Sequence, residues 1–411
     1  MRVIVFGMMG RCPFAGQSWL SLNWLRGFHQ LGHDVWYVED DECWPFDPMQ
    51  QTVTNDTSNA VGHIKRSLET IGLPDRWAYR FGGDRGQCFG LSSRELRELY
   101  RSCDVLINFG TTDLREEHRQ ARLRVYVESD PVMSQLRLAN GDAHTQVALE
   151  SHDVLFSYGE NYGAADCGVP LGGLTYKPTR QAIDLEFWHY SFDPGARHFT
   201  TVGNYRQSGN DLEFNGKTYY WSKHLEWEKI LDLPRRTRQT FELALSVDME
   251  ADPTHLTRHG WAIVSPYQMS LDIFGAYPAF IRASRAELTV AKDQNVRLRS
   301  GWFSERDACY LACGKPVIAQ DTGFSNILPT GEGLFAFTNM DEVLAAIDAI
   351  NTNYPRQCRS ARALAEEYFE ASRVAQRLLD QLDGAAKPRL NPAAAGVAVS
   401  KRAEVSHLQR R

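Results

Sequence analysis

The chain has 411 residues, a formal net charge of -6 and 23% charged residues, so two domains of roughly 100–200 residues are expected and no global basic field invites a nucleic-acid partner. No window approaches the ~20 uninterrupted apolar residues of a transmembrane segment, and Val3-Ile4-Val5-Phe6 is too short for an export signal. These features lead us to expect a cytoplasmic protein whose local basic clusters serve a small phosphorylated ligand.

In chain order, Arg2 to Gly7 reads as a buried strand, Met8 to Gly16 as a loop with two glycines, and Gln17 to Leu31 as a helix ended by Gly32. Val35-Trp36-Tyr37-Val38 is a second strand running into Glu39-Asp40-Asp41, which completes a βαβ unit. Gly7, Gly10 and Gly16 lack the G-x-G-x-x-G spacing, so a nicotinamide or flavin cofactor is not indicated. Trp44-Pro45-Phe46-Asp47-Pro48 opens a mixed region up to Ser93 and reads as an irregular insertion able to cover a site. Val105 to Phe109 and Leu123 to Val127 are strands, each followed by a loop bearing an acid, Asp113 and Asp130; Val154 to Ser157 is another, followed by Tyr158-Gly159-Glu160-Asn161. Pro170 to His198 breaks the periodicity. Thr200 to Arg206 opens a second lobe, Gly216 to Pro234 reads as its first helix region, and Trp261 to Val264 and Leu288 to Ala291 are further strands.

The most informative stretch is Asp293 to Gly333. Ser304 with Asp307 three residues on is a capping-box-like start, and the helix it opens stops at Gly314, with Pro316 shortly beyond. Val317-Ile318-Ala319-Gln320 is a short strand ending at Asp321. Ser300-Gly301-Trp302-Phe303 offers backbone N–H groups before the helix, where the macrodipole favours a diphosphate, and Lys292, Arg297 and Arg299 bring cations there. Thr322-Gly323-Phe324-Ser325 is a second small-residue loop at a strand's C-terminal end, where open α/β sheets bind ligands. Asp341 to Ile350 and Ser360 to Leu382 read as amphipathic helices, and from Gly384 on Ala, Pro and charge replace periodicity, as in a disordered tail. The eight cysteines are scattered apart from Cys309 and Cys313, with no second ligand pair for zinc, so reduced thiols and no metal are expected.

This order of loop, helix, strand and loop resembles the C-terminal half of GT-B glycosyltransferases, in particular the retaining group-1, family-four-like enzymes with E-A-M-A-x-G-x-P-V, a strand and D-x-G-G. The matching residues are Cys309-Tyr310-Leu311-Ala312-Cys313-Gly314-Lys315-Pro316-Val317 and Asp321-Thr322-Gly323-Phe324. That group's two glutamates, eight positions apart, fall on Gly301 and Cys309, so the resemblance implies neither retaining nor inverting stereochemistry and no transfer of ribose and sugar contacts, with Glu305 and Asp307 as the nearby carboxylates. Leu31-Gly32-His33-Asp34-Val35 is similar to the first helix-to-strand turn of many such enzymes. The resemblance implies an α/β fold of two Rossmann-like lobes facing a cleft. Residues 1–180 would form the acceptor lobe, 181–383 the donor lobe with closing helices, the last crossing back, and 384–411 the disordered tail.

The same resemblance implies a hexosyltransferase-like glycosyltransferase, and metal independence is expected because a helix dipole, Arg and Lys can stabilise the leaving diphosphate in place of Mg²⁺. Such an enzyme takes a nucleotide-diphosphate sugar as co-substrate, without a cofactor, and gives the sugar to a small molecule or glycan. The donor-binding residues expected are Gly16 in the first loop, Arg206, whose planar fork grips two phosphate oxygens, Lys292, Arg297, Arg299, Gly301, Ser304 and Glu305, then Asp321, Thr322, Gly323, Phe324 and Ser325. Asp130 is the first candidate for the acceptor's base and Asp113 the second, with Glu160 for sugar hydroxyls; Met8 to Gly16 contains no His for that role. A literal D-x-D is absent, and the looser pairs are Glu128-Ser129-Asp130 and Asp248-Met249-Glu250. The rival readings are a nucleotide-sugar epimerase of the same fold and a non-catalytic nucleotide-binding protein.

Overall fold

In β1 (Arg2–Phe6) and β2 (Asp34–Asp41), Val3, Val5 and Tyr37 share a buried core with Trp24, Leu25 and Phe28 of the Ala15–Gln30 helix. Ile4, Phe6 and Val38 are buried with Leu96, Leu99 and Tyr100 of the Ser93–Ser102 helix. Successive side chains point to opposite faces of a strand, and both faces are covered, which is why these strands read as unbroken apolar runs. The computed structural model describes residues 1–83, 86–247 and 251–382; the tail and the Asp248-Met249-Glu250 pair lie outside them.

Next come the small hairpin β3 (Phe46–Asp47) and β4 (Thr52–Val53), then β5 (Trp77–Phe81), β6 (Gln87–Phe89), β7 (Val105–Asn108), β8 (Leu123–Glu128), β9 (Val154–Ser157) and β10 (Tyr176–Pro178). They form an eight-stranded sheet without the hairpin, in the order β10-β9-β8-β7-β1-β2-β5-β6, parallel except at the β5–β6 edge. The second lobe is built on β11 (His198–Asn204), β14 (Thr240–Ser246), β15 (Ala262–Val264), β16 (Ala286–Thr289), β17 (Val317–Gln320) and β18 (Leu334–Phe337), with the hairpin β12 (Leu212–Phe214) and β13 (Lys217–Tyr219) between its first two strands. That sheet is wholly parallel, in the order β15-β14-β11-β16-β17-β18. Its strand order reverses at β11 and β16, so the crevice beyond their C-terminal ends is where an open α/β sheet takes a ligand.

Several expectations need correction. The first helix starts at Ala15, so Gly16 lies in its first turn and not in the preceding loop. The stretch from Gly216 does not begin as a helix, because Asn215 (φ 51°) and Gly216 (φ 70°) make the two-residue turn of the β12–β13 hairpin, and short helices follow only at His224–Glu228 and Leu233–Arg236. The final helix is also not continuous: the Tyr354–Leu364 helix passes into a wide turn, Ala365–Phe369, and Glu370 becomes extended and pairs with Ile183 before the Ala371–Asp380 helix starts. Among the described residues no helix is long and apolar enough to cross a membrane.

The Ala371–Asp380 helix returns to the first lobe and lies on the Ala15–Gln30 helix. A Cβ on Gly27 would stand 2.5 Å from the Ala371 carbonyl oxygen, so glycine permits this approach. The lobes also meet at the β12–β13 hairpin and at the insertion. The β12–β13 hairpin reaches the first lobe, where Asn140 Nδ2 donates to the Glu213 carbonyl at 2.8 Å and Leu212, Phe214 and Tyr219 pack with Val132 and Leu136. On the insertion, Tyr267 donates its hydroxyl to the Pro48 carbonyl at 2.9 Å, and Phe14 packs against both Phe46 and Tyr267.

Candidate active site

The loop after β1 is held by the acid that ends β2. Glu39 is fully buried and accepts from Gly10 N at 2.7 Å, Arg11 N at 2.6 Å and the Tyr37 hydroxyl at 2.7 Å. Burial raises its pKa to about 7 against the pull of those hydrogen bonds. The Gly10 and Arg11 amides and the Glu39 carboxylate thus bind one another. In a dinucleotide site they would face pyrophosphate and ribose. Gly16 is exposed, and a Cβ there would meet nothing within 4 Å.

The loop after β8 presents Asp130. Glu128 anchors it from beneath, fully buried and accepting from Gln135 Nε2 (2.8 Å), Ser157 Oγ (2.8 Å) and Tyr162 OH (3.0 Å); burial raises its pKa to about 7. Two residues after Asp130, Val132 has φ +90°, an uncommon conformation for a β-branched side chain, and its N–H is tied to Gln135 Oε1 at 2.9 Å. Such strain persists only where the surroundings over-determine it, and it collects at functional sites. Asp130 Oδ2 accepts from Lys292 Nζ of the other lobe, while Oδ1 is enclosed without a hydrogen-bond partner. Asp113, by contrast, stands in solvent beside His144 at 3.2 Å, with both side chains about three-quarters exposed (74% and 76%). Glu160 is bound by Arg180 at 2.6 Å.

Lys292 follows β16, at the strand reversal of the second sheet. Its Nζ lies over the Trp221 ring, and burial lowers its pKa while Asp130 opposes that fall. Beside it stands Lys223, between Trp221 and the His224–Glu228 helix, with its Nζ 5.6 Å from the Trp302 ring centroid. Burial first, then Arg306 and Lys292, lower the Lys223 pKa to about 7, with Asp307 and Asp130 acting the other way. The Glu305–Ala312 helix starts here. Ser304 is its N-cap residue, as read from the sequence, but its side chain makes no capping bond, and Asp307 receives Arg306 at 2.9 Å instead of closing a capping box. Arg306 also binds Glu287, the Val202 carbonyl (2.6 Å) and Thr289 Oγ1 (2.7 Å), which secures the ends of β11 and β16.

Most of the other expected donor residues lie in a clasp between the lobes. Arg299 donates to Asp166 at 2.6 Å and Asp321 at 3.1 Å, and its carbonyl accepts from Asn161 Nδ2 at 2.9 Å. The hydrogen bond from Arg299 holds the Asp166 carboxyl well below the usual carboxylate range. Gly301 has φ +83°, and a Cβ there would stand 2.4 Å from Asn161 N, so the position of a family glutamate is filled by the first lobe's backbone. Nor are the N–H groups ahead of the helix free as expected, because Gly301 N donates to the Thr322 carbonyl (2.8 Å) and Trp302 N to Ser300 Oγ (3.3 Å). Asp321 in turn accepts from Gly323 N (2.9 Å) and Ser325 Oγ (3.0 Å), Thr322 Oγ1 donates to the Trp302 carbonyl (2.6 Å), and Phe324 packs edge-on to Phe303.

The remaining residues point elsewhere. Glu305 is bound to Asn23 of the first helix at 2.9 Å, and burial raises its pKa to about 8. Arg206 is held by Asp252 through bonds of 3.0 and 3.1 Å. Arg297 sits over Tyr219 and donates to the Thr218 carbonyl at 2.6 Å, supporting the hairpin. Lys223, Trp221 and Trp302 were not singled out by the sequence reading. Lys223 and Trp221 lie in the phrase Trp221-Ser222-Lys223-His224, which has neither periodicity nor motif spacing, and Trp302 was read only for its backbone N–H in the Ser300 to Phe303 loop. Among the described residues there is no group of three or more His, Cys, Asp or Glu able to hold a metal ion.

The chain is similar over nearly its whole length to several solved structures. An alpha-glucosyltransferase in complex with UDP and a 13-mer DNA aligns with a TM-score of 0.58 at 12% identity, covering 93% of this chain and 100% of that one. HepE of Anabaena, in complex with UDP and glucose, aligns at 0.54 and 15% identity, covering 93% and 100%. Sucrose-phosphate synthase of Thermosynechococcus elongatus aligns at 0.52 and 11% identity, covering 94% and 100%. No protein-family model and no curated protein matches the chain by sequence. The likeness shows the fold: two Rossmann-like lobes in the GT-B arrangement.

Proposed function

We propose that the protein is a glycosyltransferase that takes a sugar from a nucleotide-diphosphate donor on the second lobe and gives it to an acceptor hydroxyl on the first. The observation that carries this is the meeting of Lys223, Lys292 and the uncapped N-terminus of the Glu305–Ala312 helix at the strand reversal of the second sheet, across from Asp130. Two ammonium groups and a helix N-terminus in an enclosed place suit a diphosphate leaving group and supply the positive charge a divalent cation would otherwise bring. The solved structures of the same fold that were determined with UDP support the reading.

In the transfer, the acceptor oxygen bonds to the anomeric carbon and its proton passes to the Asp130 carboxylate. The carbon–oxygen bond to the β-phosphate breaks, and its electron pair leaves on the nucleoside diphosphate. Lys223 and Lys292 meet the charge that develops there. The strained turn at Val132 and the buried Glu128 beneath it hold Asp130 in position. Bridges at both the hairpin and the insertion hold the lobes together around a site that must keep out water, which would hydrolyse the donor.

The test is a panel of nucleoside diphosphates and nucleotide sugars, read first as thermal stabilisation and then as donor turnover with and without candidate acceptors, in EDTA and in Mg²⁺. At least one nucleoside diphosphate should raise the melting temperature, and turnover should require an acceptor and survive EDTA. A protein that no diphosphate stabilises is not a nucleotide-sugar enzyme, and conversion of the donor alone would make it an epimerase.

A further inference from the structure

Lys292 and Asp130 come from different lobes, yet each is the other's charged partner. The Lys292 ammonium is almost wholly enclosed and is held between the Asp130 carboxylate and the face of Trp221. Asp130 is half exposed, but one of its oxygens is bound to Lys292 and the other is enclosed without a partner. The pair lies beside Lys223 and below the Trp302 indole, whose Nε1 donates to the Ser129 carbonyl at 3.1 Å and so ties the second lobe to the turn that carries Asp130. The oxygen that accepts from Lys292 is occupied and is not open to a proton from an acceptor hydroxyl while the pair stands.

Resting on the proposed donor site, we infer that this ion pair is a gate in which Asp130 and the donor's β-phosphate compete for Lys292. The β-phosphate takes Lys292 away from Asp130, and the carboxylate oxygen that had held the lysine is open to the acceptor's proton only once the leaving group is in place. Nothing covalent changes in this exchange; one anion replaces another at Lys292. Acceptor hydroxyls, and water in their place, are not deprotonated while the donor site holds only the pair.

The gate makes Asp130 a competitor of the diphosphate, and this is measurable without knowing the acceptor. Uridine diphosphate is titrated calorimetrically into the wild-type protein, Asp130→Asn, Lys292→Met and the double variant, with Asp130→Ser as a second removal of the charge and inorganic pyrophosphate as a base-independent probe. Asp130→Asn is expected to bind uridine diphosphate about tenfold more tightly than wild type, the size of one charge-assisted contact no longer broken. In the Lys292→Met background the same change should alter affinity less than about twofold, since there is no lysine left to release. An unchanged or weaker affinity in Asp130→Asn overturns the gate. So does an equal gain in both backgrounds, which would be plain repulsion between a carboxylate and a phosphate. If neither uridine diphosphate nor pyrophosphate binds any of the proteins, the donor site itself falls and the gate with it.

Discussion

Lys223→Met should do two opposite things at once: weaken diphosphate binding and stabilise the free protein. The Lys223 pKa stands at about 7 against an ordinary 10.5, chiefly because the ammonium is enclosed and secondarily because Arg306 and Lys292 are close. At 1.36 kcal/mol for each tenfold change in acidity, that difference is ~5 kcal/mol against the charged form. The side chain is half-buried and not sealed from water, and screening reduces the figure to about 1–2 kcal/mol. A lysine with a depressed folded pKa destabilises fully below that pKa, progressively less as pH rises from 7 to 10.5, and not at all above. The Met variant should therefore melt a few degrees higher than wild type at pH 6, and the difference should shrink by pH 9. It should also lose about tenfold to a hundredfold in uridine diphosphate affinity while its affinity for uridine changes little. Melting curves at the two pH values and calorimetric titration with both ligands decide the matter. A variant less stable than wild type at pH 6, or one that loses uridine and uridine diphosphate equally, would refute the assignment of Lys223 to the phosphates.

Gly301→Ala should cost about 2–5 kcal/mol, from a left-handed backbone that L residues resist and a Cβ 2.4 Å from Asn161 N. Gly16→Ala, helical and facing open space, should gain about 0.5–1 kcal/mol, and chemical denaturation of the two variants checks the contrast. Asp40 is bound by Arg80 at 2.6 and 2.9 Å, His118 at 2.9 Å and Tyr100 OH at 2.7 Å, and although burial resists ionisation, the His118 and Arg80 hydrogen bonds hold its carboxyl well below the usual range. Its contribution is present above the ordinary carboxylate pKa and is lost as pH falls below about 4. Asp40→Asn should cost about 3–5 kcal/mol at pH 7 and melt with a flatter pH dependence between pH 4 and pH 2 than wild type.

Hydrophobic period and punctuation determined much of this protein without a structure. The βαβ opening, the Cys309 to Val317 phrase with Gly314 at the helix end, and the strand running to Asp321 are local signals, and local signals carry a parallel α/β lobe. The β12–β13 hairpin was legible too, since Asn215-Gly216 between apolar strands is a strong short-range turn signal that the helix expectation overlooked. Only the tertiary structure decided which counter-charge each cation meets. Arg206 and Arg299 look like phosphate ligands in sequence, and it is the fold that sets Asp252 beside the one and Asp166 and Asp321 beside the other, from tens to over a hundred positions away. Lys223 gains its place because a hairpin docks on the opposite lobe and turns Trp221 and Lys223 toward Lys292. A charge announces its type along the chain; its availability depends on counter-charges and enclosure that exist only once distant segments have packed.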